Sequence, residues 1–173
     1  MKHLIFYSLL ILFVCCKKSE SDEYWDTISA EKNGMPWSAE LYAGQNNLNS
    51  GLIDILIHKY NSQGFLREEL YFFKLKLTNE RQRIYFTTPH DSDLKAGADY
   101  ATLVDDGDVG CDNYHVLPAD TLYNQLTLTQ IKSSTGEING NFDLRLVIDT
   151  GRKCNPAAPD TIYFRNGNFH TWF

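Results

Sequence analysis

The sequence predicts an all-β fold of antiparallel strands, and three observations support this prediction. Within residues 136–149, apolar side chains alternate with polar ones, which places them on one face of a pleated strand. The alternating apolar residues are Ile138, Phe142, Leu144, Leu146 and Ile148. The chain ends on a second segment of this kind, residues 160–173, which needs a sheet to pair with. After the N-terminal leader, no window of about eleven residues shows a helical period.

The first part of the domain is interpreted as two hairpins. Residues 25–32 alternate weakly and precede Asn33-Gly34, which is a turn signal because both residues tolerate positive φ. Residues 37–43 follow and predict the partner strand. Residues 52–60 and 66–78 predict two further strands around a polar turn.

The second part contains shorter segments of the same kind. Residues 83–88, 100–104 and 124–133 predict strands, residues 114–118 predict a short strand, and residues 105–113 predict an acidic loop. With the two C-terminal segments, the total is about eight to ten strands at intervals of about ten residues. This spacing is typical of an immunoglobulin- or fibronectin-like β-sandwich or of a partly closed barrel.

The N-terminal leader predicts export and a lipid anchor. Met1-Lys2-His3 forms a short positive start, and residues 4–14 form an apolar run that is too short to span a bilayer, which needs about 20 residues. Cys15 and Cys16 follow, and then a charged spacer. This arrangement resembles the lipobox of bacterial lipoproteins, in which a cysteine is acylated and becomes the first mature residue. We expect acylation at Cys16, because Cys15 supplies the small preceding residue; Cys15 itself is the alternative.

The predicted organisation is a signal peptide at residues 1–15, a lipidated cysteine with a flexible acidic linker at residues 16–24, and one β-domain at residues 25–173. Acyl chains such as palmitate contribute about 0.8 kcal/mol per buried CH₂ and would hold the protein on a membrane. The acidic residues 20–23 resemble an export signal of surface lipoproteins, which predicts an outer-membrane anchor and exposure at the cell surface. A solvated linker is the other interpretation of these residues. A cleaved secretory peptide without lipid is the alternative to the anchor.

Several short motifs carry a resemblance to a known family. They are A-x-x-N-G-x-x-W-x-A at 30–39, L-T-L-T at 126–129, G-x-F at 140–142, I-Y-F at 162–164 and N-G-x-F at 166–169. On these motifs, the chain resembles a family of uncharacterised Bacteroidota-type lipoprotein domains. The resemblance covers almost the whole β-domain and implies its fold and location. It implies no activity, since none is established for the family.

Cys111 and Cys154 are the two cysteines beyond the leader. An exported chain meets an oxidising compartment, where such a pair predicts a disulfide. Closing a loop of this length would stabilise the fold by about 4 kcal/mol in the chain-entropy model. Two buried thiols are the alternative. A metal or redox role is disfavoured, because the sequence has no C-x-x-C motif and no histidine at ligand spacing.

Other chemistry-bearing residues give no strong signal. Asp105, Asp106, Asp108 and Asp112 crowd one loop and are a weak calcium candidate, because calcium is bound by several oxygen ligands. Their order does not match an EF-hand loop, so we expect a solvated acidic loop and no metal site. The sequence has no G-x-S-x-G motif and no histidine–acid arrangement that indicates a nucleophile triad. We therefore predict no catalytic residues and no cofactor.

Four aromatic residues are predicted to be structural: Trp37, Tyr100, Phe142 and Phe169. The spacing L-x-x-G-x-x-Y at 94–100 resembles the tyrosine corner of β-sandwiches, in which the hydroxyl bonds to backbone a few residues upstream. Most large aromatic side chains are expected in the core. Several of them exposed on one face would instead offer stacking surfaces for sugar rings.

The net charge of −6 without basic runs argues against nucleic acid as a partner, since such binding depends on Lys and Arg. The sequence therefore predicts a lipid-anchored, non-catalytic module of the cell envelope that binds or scaffolds. Its expected partners are the membrane, through the lipid, and a protein or glycan at the cell surface. The alternatives are a structural or accessory subunit of an envelope complex and, less favoured, a hydrolase with an unrecognised site. No specific activity follows from the sequence.

Overall fold

The structure is a computed structural model, which describes residues 26–46, 51–78, 80–86, 95–132 and 135–173. The predicted signal peptide, the acidic linker and both candidate acylation sites, Cys15 and Cys16, lie outside the described residues. Two 3₁₀ turns are described, Pro118–Asp120 and Thr150–Arg152. Across the described ranges, the helices are all too short or too polar to cross a membrane.

The predicted all-β class is confirmed, because ten strands make up most of the described chain. In chain order they are β1 (Asp26–Lys32), β2 (Met35–Gln45), β3 (Leu52–Tyr60), β4 (Leu66–Lys76), β5 (Gln82–Tyr85), β6 (Gly97–Val104), β7 (Val109–Val116), β8 (Gln125–Lys132), β9 (Glu137–Ile148) and β10 (Thr161–Trp172). The paired strands run antiparallel. β1 and β2 form the predicted hairpin around Asn33 and Gly34, whose φ angles are 52° and 79°, as a two-residue hairpin turn of type I′ requires.

Eight of the strands close into a barrel. Their order is β10-β1-β2-β3-β4-β6-β7-β9, and β9 pairs back with β10, so the ring of described strands closes on itself. β7 pairs with the end of β9, from Leu146 to Ile148, whereas β8 pairs with the earlier part of β9 and carries β5 on its other side. The sequence left a sandwich and a partly closed barrel open. The structure is a closed antiparallel barrel with β8 and β5 as additional strands.

The barrel has two ends, which we call the upper end and the lower end. The connections β1–β2, β3–β4, β6–β7 and β9–β10 lie at the upper end. β1 starts at Asp26 at the lower end, where the backbone N–H of Phe173 bonds to the Gly136 carbonyl. The segment that precedes residue 26 therefore joins the barrel at the end opposite to these four connections.

The predicted acidic loop over 105–113 is wrong in its extent. The structure has a four-residue turn at 105–108, and β7 begins directly after it. Asp105 and Gly107 have φ angles of 53° and 98°, and this left-handed backbone lets the chain reverse within four residues. Asp112 consequently belongs to a strand and is buried. The turn thus places one carboxylate of the acidic segment inside the barrel.

Aromatic rings fill the middle and lower parts of the barrel interior. Phe72 stacks on Phe86 with ring centroids 5.5 Å apart, and it meets Phe142 edge-on at 5.3 Å. Phe142 also contacts Phe164 at 6.4 Å. These rings belong to one contiguous buried cluster that extends through the barrel, so this part of the interior is a packed core.

Two glycine–phenylalanine pairs join β9 to β10. Gly140 lies opposite Phe169, and Gly167 lies opposite Phe142. A Cβ atom added to either glycine would overlap the phenylalanine ring opposite to it. Neither glycine has a positive φ, so the packing requires the missing side chain rather than a special backbone conformation. The G-x-F and N-G-x-F motifs are therefore the two halves of one reciprocal contact.

Candidate functional site

Charged and hydroxyl-bearing side chains enter the barrel interior near its upper end. Lys32 on β1 has the same strand parity as the buried Ile28, and Glu68 on β4 has the parity of the buried Leu70. Tyr100 on β6 is also buried. Residues two apart on a strand share one face of the sheet. The inward rows thus change from apolar to polar as these strands approach the upper end.

These side chains form one hydrogen-bonded cluster, which we call the Lys32 network. The Lys32 ammonium donates to Glu68 Oε2 at 2.7 Å and to the Tyr100 hydroxyl oxygen at 2.6 Å. Trp37 donates its indole N–H to the same Glu68 oxygen at 2.8 Å. Lys59 Nζ lies 3.9 Å from the other Glu68 oxygen. An ammonium has three N–H donors, so Lys32 has one left for an acceptor outside the network.

Burial and charge set the protonation states in this network. Burial lowers the pKa of Lys32 below its ordinary 10.5, and the neighbouring Glu68 charge offsets only part of that shift. For Glu68, burial raises the pKa, but the Lys32 charge and the hydrogen bonds from Lys32 and Trp37 outweigh it, so the pKa lies below its ordinary 4.5. Burial raises the pKa of Tyr100 above its ordinary 10.0 and raises that of Tyr114 to about 12. Glu68 is therefore ionised and both tyrosines are neutral at pH 7.

Two members of the Lys32 network, Lys32 and Tyr100, line a cleft of about 630 Å³ at the upper end, which we call the upper cleft. Its polar lining residues include Lys32, Tyr100, Thr102 and Asp112. The aliphatic walls consist of Leu103, Val104, Ala157, Ala158, Pro159 and Ile162. Ligand pockets of about 300–1,000 Å³ usually combine apolar walls with a few polar groups that orient the ligand. The upper cleft has the size and the composition of such a site.

The β9–β10 connection forms one wall of the upper cleft and is held in three ways. The predicted disulfide between Cys111 and Cys154 is confirmed and joins this connection to β7. The buried Asp112 carboxylate accepts a hydrogen bond from the backbone N–H of Cys154 at 2.9 Å. The Tyr114 hydroxyl donates to the Pro159 carbonyl oxygen at 3.0 Å. Covalent and hydrogen bonds thus fix the wall, and the cleft is preformed.

The weak calcium candidate does not form one set of ligands. Asp105, Asp106 and Asp108 are exposed on the β6–β7 turn, whereas Asp112 is buried and bonded to backbone. A hydrogen bond with Asp106 and the charge of that residue raise the pKa of Asp108. Within the described ranges, the group with metal-ligand proximity is Asp112 with the two disulfide-bonded cysteines. Sulfurs bonded to each other offer no thiolate ligands.

The four predicted structural aromatics are buried, and two of them also belong to the site. Phe142 and Phe169 pack in the core, whereas the Trp37 indole N–H is a donor in the Lys32 network. Among the described residues, the Tyr100 hydroxyl does not make the upstream backbone bond expected of a tyrosine corner. This hydroxyl accepts from Lys32, which is 68 positions away in sequence, because residue 100 faces the barrel interior.

Sequence reasoning did not identify Lys32 and Glu68 as site residues, although a signal was present. Each occupies an inward position in an alternating segment, where an apolar residue is expected. A charge at such a position is costly unless it is paired, so its presence indicates a partner or a ligand. The identity of the partner depends on which strands the barrel brings together, and the alternation of one strand does not contain that information.

Comparison of the chain with models of protein families, with proteins of curated function and with solved structures finds no match. The resemblance to Bacteroidota-type lipoprotein domains therefore stays a prediction. Functional proposals for this chain depend on its fold and on the geometry of its own side chains.

Proposed function

We propose that this chain is a lipid-anchored, non-catalytic binding module of the cell envelope and that the upper cleft is its ligand site. One observation carries the proposal. An ammonium group with an available N–H lines a preformed cleft with aliphatic walls. A matching ligand has an apolar body, which the walls cover, and a head group that accepts a hydrogen bond from Lys32.

The cost of the Lys32 network supports a binding role. Taking an ammonium and a carboxylate out of water costs several kcal/mol, and apolar side chains of similar volume often give a more stable interior. The packed lower part of the same barrel contains such apolar side chains. Retaining charges at the upper end is consistent with selection for a ligand rather than for stability alone.

The protonation states of Glu68 and Tyr100 favour binding over catalysis. General acid–base catalysis works best when the pKa of the catalytic group lies near the operating pH. The pKa of Glu68 lies below 4.5 and that of Tyr100 above 10.0, so both are shifted away from neutrality. The two cysteines beside the cleft are bonded to each other and offer no nucleophile.

The direction of β1 supports presentation of the upper cleft away from the membrane. β1 begins at Asp26 at the lower end, and the predicted acyl anchor at Cys16 precedes it. Ten residue steps separate Cys16 from Asp26, a reach of about 33–36 Å at most. An anchor there would join the barrel at the end opposite to the cleft, so the cleft would face outward.

Two probes with the same apolar body and opposite head groups test the ligand site. Octanoate offers hydrogen-bond acceptors, and octylammonium offers only donors. We expect the β-domain, residues 25–173, to bind octanoate more tightly in calorimetric titrations. Lys32→Met should remove most of that difference, because it deletes the donor and keeps an apolar side chain of similar length.

Two tryptophan substitutions are the matched controls for the cleft. Ala157 lies exposed on the cleft wall, and Ala119 lies exposed in the 3₁₀ turn after β7, outside the cleft lining. Ala157→Trp should weaken the binding of both probes about tenfold by filling the cleft, whereas Ala119→Trp should change neither. Equal binding of the two probes, or equal effects of the two substitutions, would contradict the proposed site.

The anchor has its own test. Metabolic labelling with palmitate should tag the wild-type protein and not the Cys16→Ser variant. Labelling that persists until Cys15 is also replaced would move the acylation site to Cys15. Absence of label from the wild-type protein would refute the anchor. The test of the upper cleft is independent of this result.

An accessory subunit is the second candidate function, and one observation favours it. Four apolar side chains at the upper end are exposed: Met35, Phe65, Val104 and Val109. They lie on or beside three of the upper connections, where a protein partner could cover them. Met35→Lys together with Phe65→Lys should then abolish co-purification of a partner but leave octanoate binding unchanged.

A further inference from the structure

A second depression lies on the outer face of the sheet, away from the upper cleft. Its volume is about 390 Å³, and we call it the outer groove. The side chains of Arg83, Gln125, Thr127, Asn141 and Asp143 line it, together with Arg81 and Asn166. These residues come from β5, β8 and β9, from the segment before β5 and from β10. The groove therefore crosses the two strands that lie outside the closed ring.

The strand register arranges these residues in rows across the sheet. Arg83 lies opposite Thr127, Thr127 lies opposite Asn141, and Asn141 lies opposite Asn168. Neighbouring strands are about 4.8 Å apart, so polar groups recur at that interval along the row. The row offers a guanidinium, a hydroxyl and two amides in succession.

A second row runs beside the first and has a different composition. Tyr85 lies opposite Gln125, and Gln125 lies opposite Asp143. Tyr85 is 45% exposed. The Asp143 carboxylate accepts a hydrogen bond from the backbone N–H of Asn166 at 3.1 Å, and this bond fixes the carboxylate at the groove margin. The groove thus has arginines on the β5 side and a carboxylate on the β9 side.

Further exposed aromatic rings lie against Arg165, which is next in sequence to a residue of the groove. The Arg165 guanidinium lies over the Tyr123 ring at 5.6 Å and over the Tyr163 ring at 5.5 Å. Tyr123 is 47% exposed and Tyr163 is 37% exposed. Arg165 is the chain neighbour of Asn166 in the groove. Exposed tyrosines are thus neighbours of groove residues on two sides, Tyr85 through its pairing with Gln125 and the other two through Arg165.

The two arginines of the groove place positive charge on its β5 side. In the part of the chain that the structure describes, neither Arg81 nor Arg83 has a carboxylate partner, and both are exposed. The chain as a whole has a net charge of −6, so this positive group stands out from its surroundings. A guanidinium binds a carboxylate through two parallel hydrogen bonds.

We infer that the outer groove binds an oligosaccharide that carries carboxylate groups. Amide, hydroxyl and carboxylate side chains match sugar hydroxyls, because both sides donate and accept hydrogen bonds. Tyrosine rings offer apolar faces for the C–H surfaces of sugar rings. Arg81 and Arg83 bind the carboxylate of the sugar, and Asp143 accepts from hydroxyl groups at the opposite side. This site is separate from the upper cleft and does not depend on the function proposed for it.

A galacturonate tetrasaccharide and its methyl ester are matched probes, since esterification keeps the hydroxyl groups and removes the charge. The full chain is titrated calorimetrically in a polyoxyethylene detergent, whose head group carries neither sugar nor charge. We expect the acid to bind at least about tenfold more tightly than the ester, because charge-assisted hydrogen bonds are the stronger ones. Higher salt should weaken the binding of the acid but not that of the ester.

Substitutions locate the binding. Arg81→Gln together with Arg83→Gln should reduce the affinity for the acid to that for the ester, and Tyr85→Ala should weaken both sugars severalfold. Lys76→Gln removes one exposed charge outside the groove lining and should change the affinity less than about twofold. Ala157→Trp in the upper cleft should have no effect on either sugar.

Three results would overturn the inference. The first is that neither sugar binds at millimolar concentration. The second is that Lys76→Gln weakens the acid as much as the arginine substitutions do, which would indicate general electrostatic attraction. The third is that sulfate ion alone competes as well as the tetrasaccharide, which would indicate a bare anion site.

Discussion

The upper and lower parts of the barrel interior are built on the same strands but differ in chemistry. In the lower part, β4 directs Phe72 inward, where it meets Phe142 of β9 at 5.3 Å. Four residues earlier on β4, Glu68 occupies the same inward row, where it meets Lys32 at 2.7 Å. The inward-facing residues of the single strand β4 therefore contribute both to the packed core and to the charged network.

The alternation of side chains along a strand and the identity of each inward residue have different effects. The period of two decides which side chains lie inside the barrel, and the type of residue at each inward position decides what the interior does there. Full burial of a phenylalanine stabilises a fold by about 1.5–3 kcal/mol, whereas a buried ion pair contributes little or nothing net. We therefore expect substitutions in the lower part to act mainly on stability and those in the upper part mainly on binding.

The largest effect is expected for Phe142→Ala. The Phe142 ring is buried against Phe72 and Phe164, so its removal leaves a cavity as well as losing apolar contact. The free energy of unfolding should fall by about 3–5 kcal/mol, measured by denaturant unfolding with the disulfide intact. Octanoate affinity of the protein that remains folded should not change.

Phe65→Ala is the control for this substitution. Phe65 is 37% exposed at the upper end, and its loss should change the free energy of unfolding by less than about 0.5 kcal/mol. A loss below about 1 kcal/mol for Phe142→Ala would mean that the strand faces are reversed.

An intermediate effect is expected for Gly167→Ala, which tests the reciprocal contact between β9 and β10. The added methyl group would overlap the Phe142 ring, and overpacking of this kind costs about 1–3 kcal/mol. Gly110→Ala is the matched control, because no atom lies within 4 Å of the added Cβ and its φ is not positive. It should be neutral or slightly stabilising.

The combination with Phe142→Leu distinguishes packing from other causes. If Gly167→Ala acts through the ring, the smaller leucine should relieve part of its cost, and the two effects should not add. Strict additivity of the two substitutions in unfolding measurements would contradict the reciprocal contact.

Most of the fold was predictable from local pattern, and the site was not. The period of two and the turn signal at Asn33-Gly34 gave the strands and a hairpin, because both are properties of neighbouring residues. The disulfide between Cys111 and Cys154 was predicted from the residue count and from the expected export of the chain. By contrast, closure into a barrel depends on β9 pairing with β10 on one side and with β7 on the other, which no single segment contains.

Residues 105–113 show that local composition can also fail to predict structure at short range. Their composition is that of a loop, yet left-handed backbone at Asp105 and Gly107 shortens the turn to four residues. In the structure, Asp112 therefore lies in the barrel wall and not in a calcium loop, and its carboxylate holds the β9–β10 connection. The composition of residues 105–113 correctly indicated that the segment is polar. It did not indicate which of its carboxylates faces inward.

The smallest stability effect is expected in the Lys32 network, and it should appear as a change in pH dependence. The folded-state pKa of Glu68 is below its ordinary 4.5, so the unfolded chain takes up a proton first as the pH falls. The stability that Glu68 contributes is therefore complete above pH 4.5 and is lost as the pH falls through the folded-state pKa. Because the side chain is 18% exposed, we expect a contribution of about 1 kcal/mol.

Glu68→Gln should therefore flatten the decline in unfolding free energy between about pH 6 and pH 3 relative to the wild type. Glu31→Gln is the control, since Glu31 neighbours Lys32 in sequence but is exposed on the outer face of β1. It should leave the profile unchanged. If both substitutions flatten the profile equally, the effect comes from net charge and not from the inward position of Glu68. If only Glu68→Gln does so, the paired carboxylate of the upper interior titrates as a buried group, in contrast to the pH-independent apolar core below it.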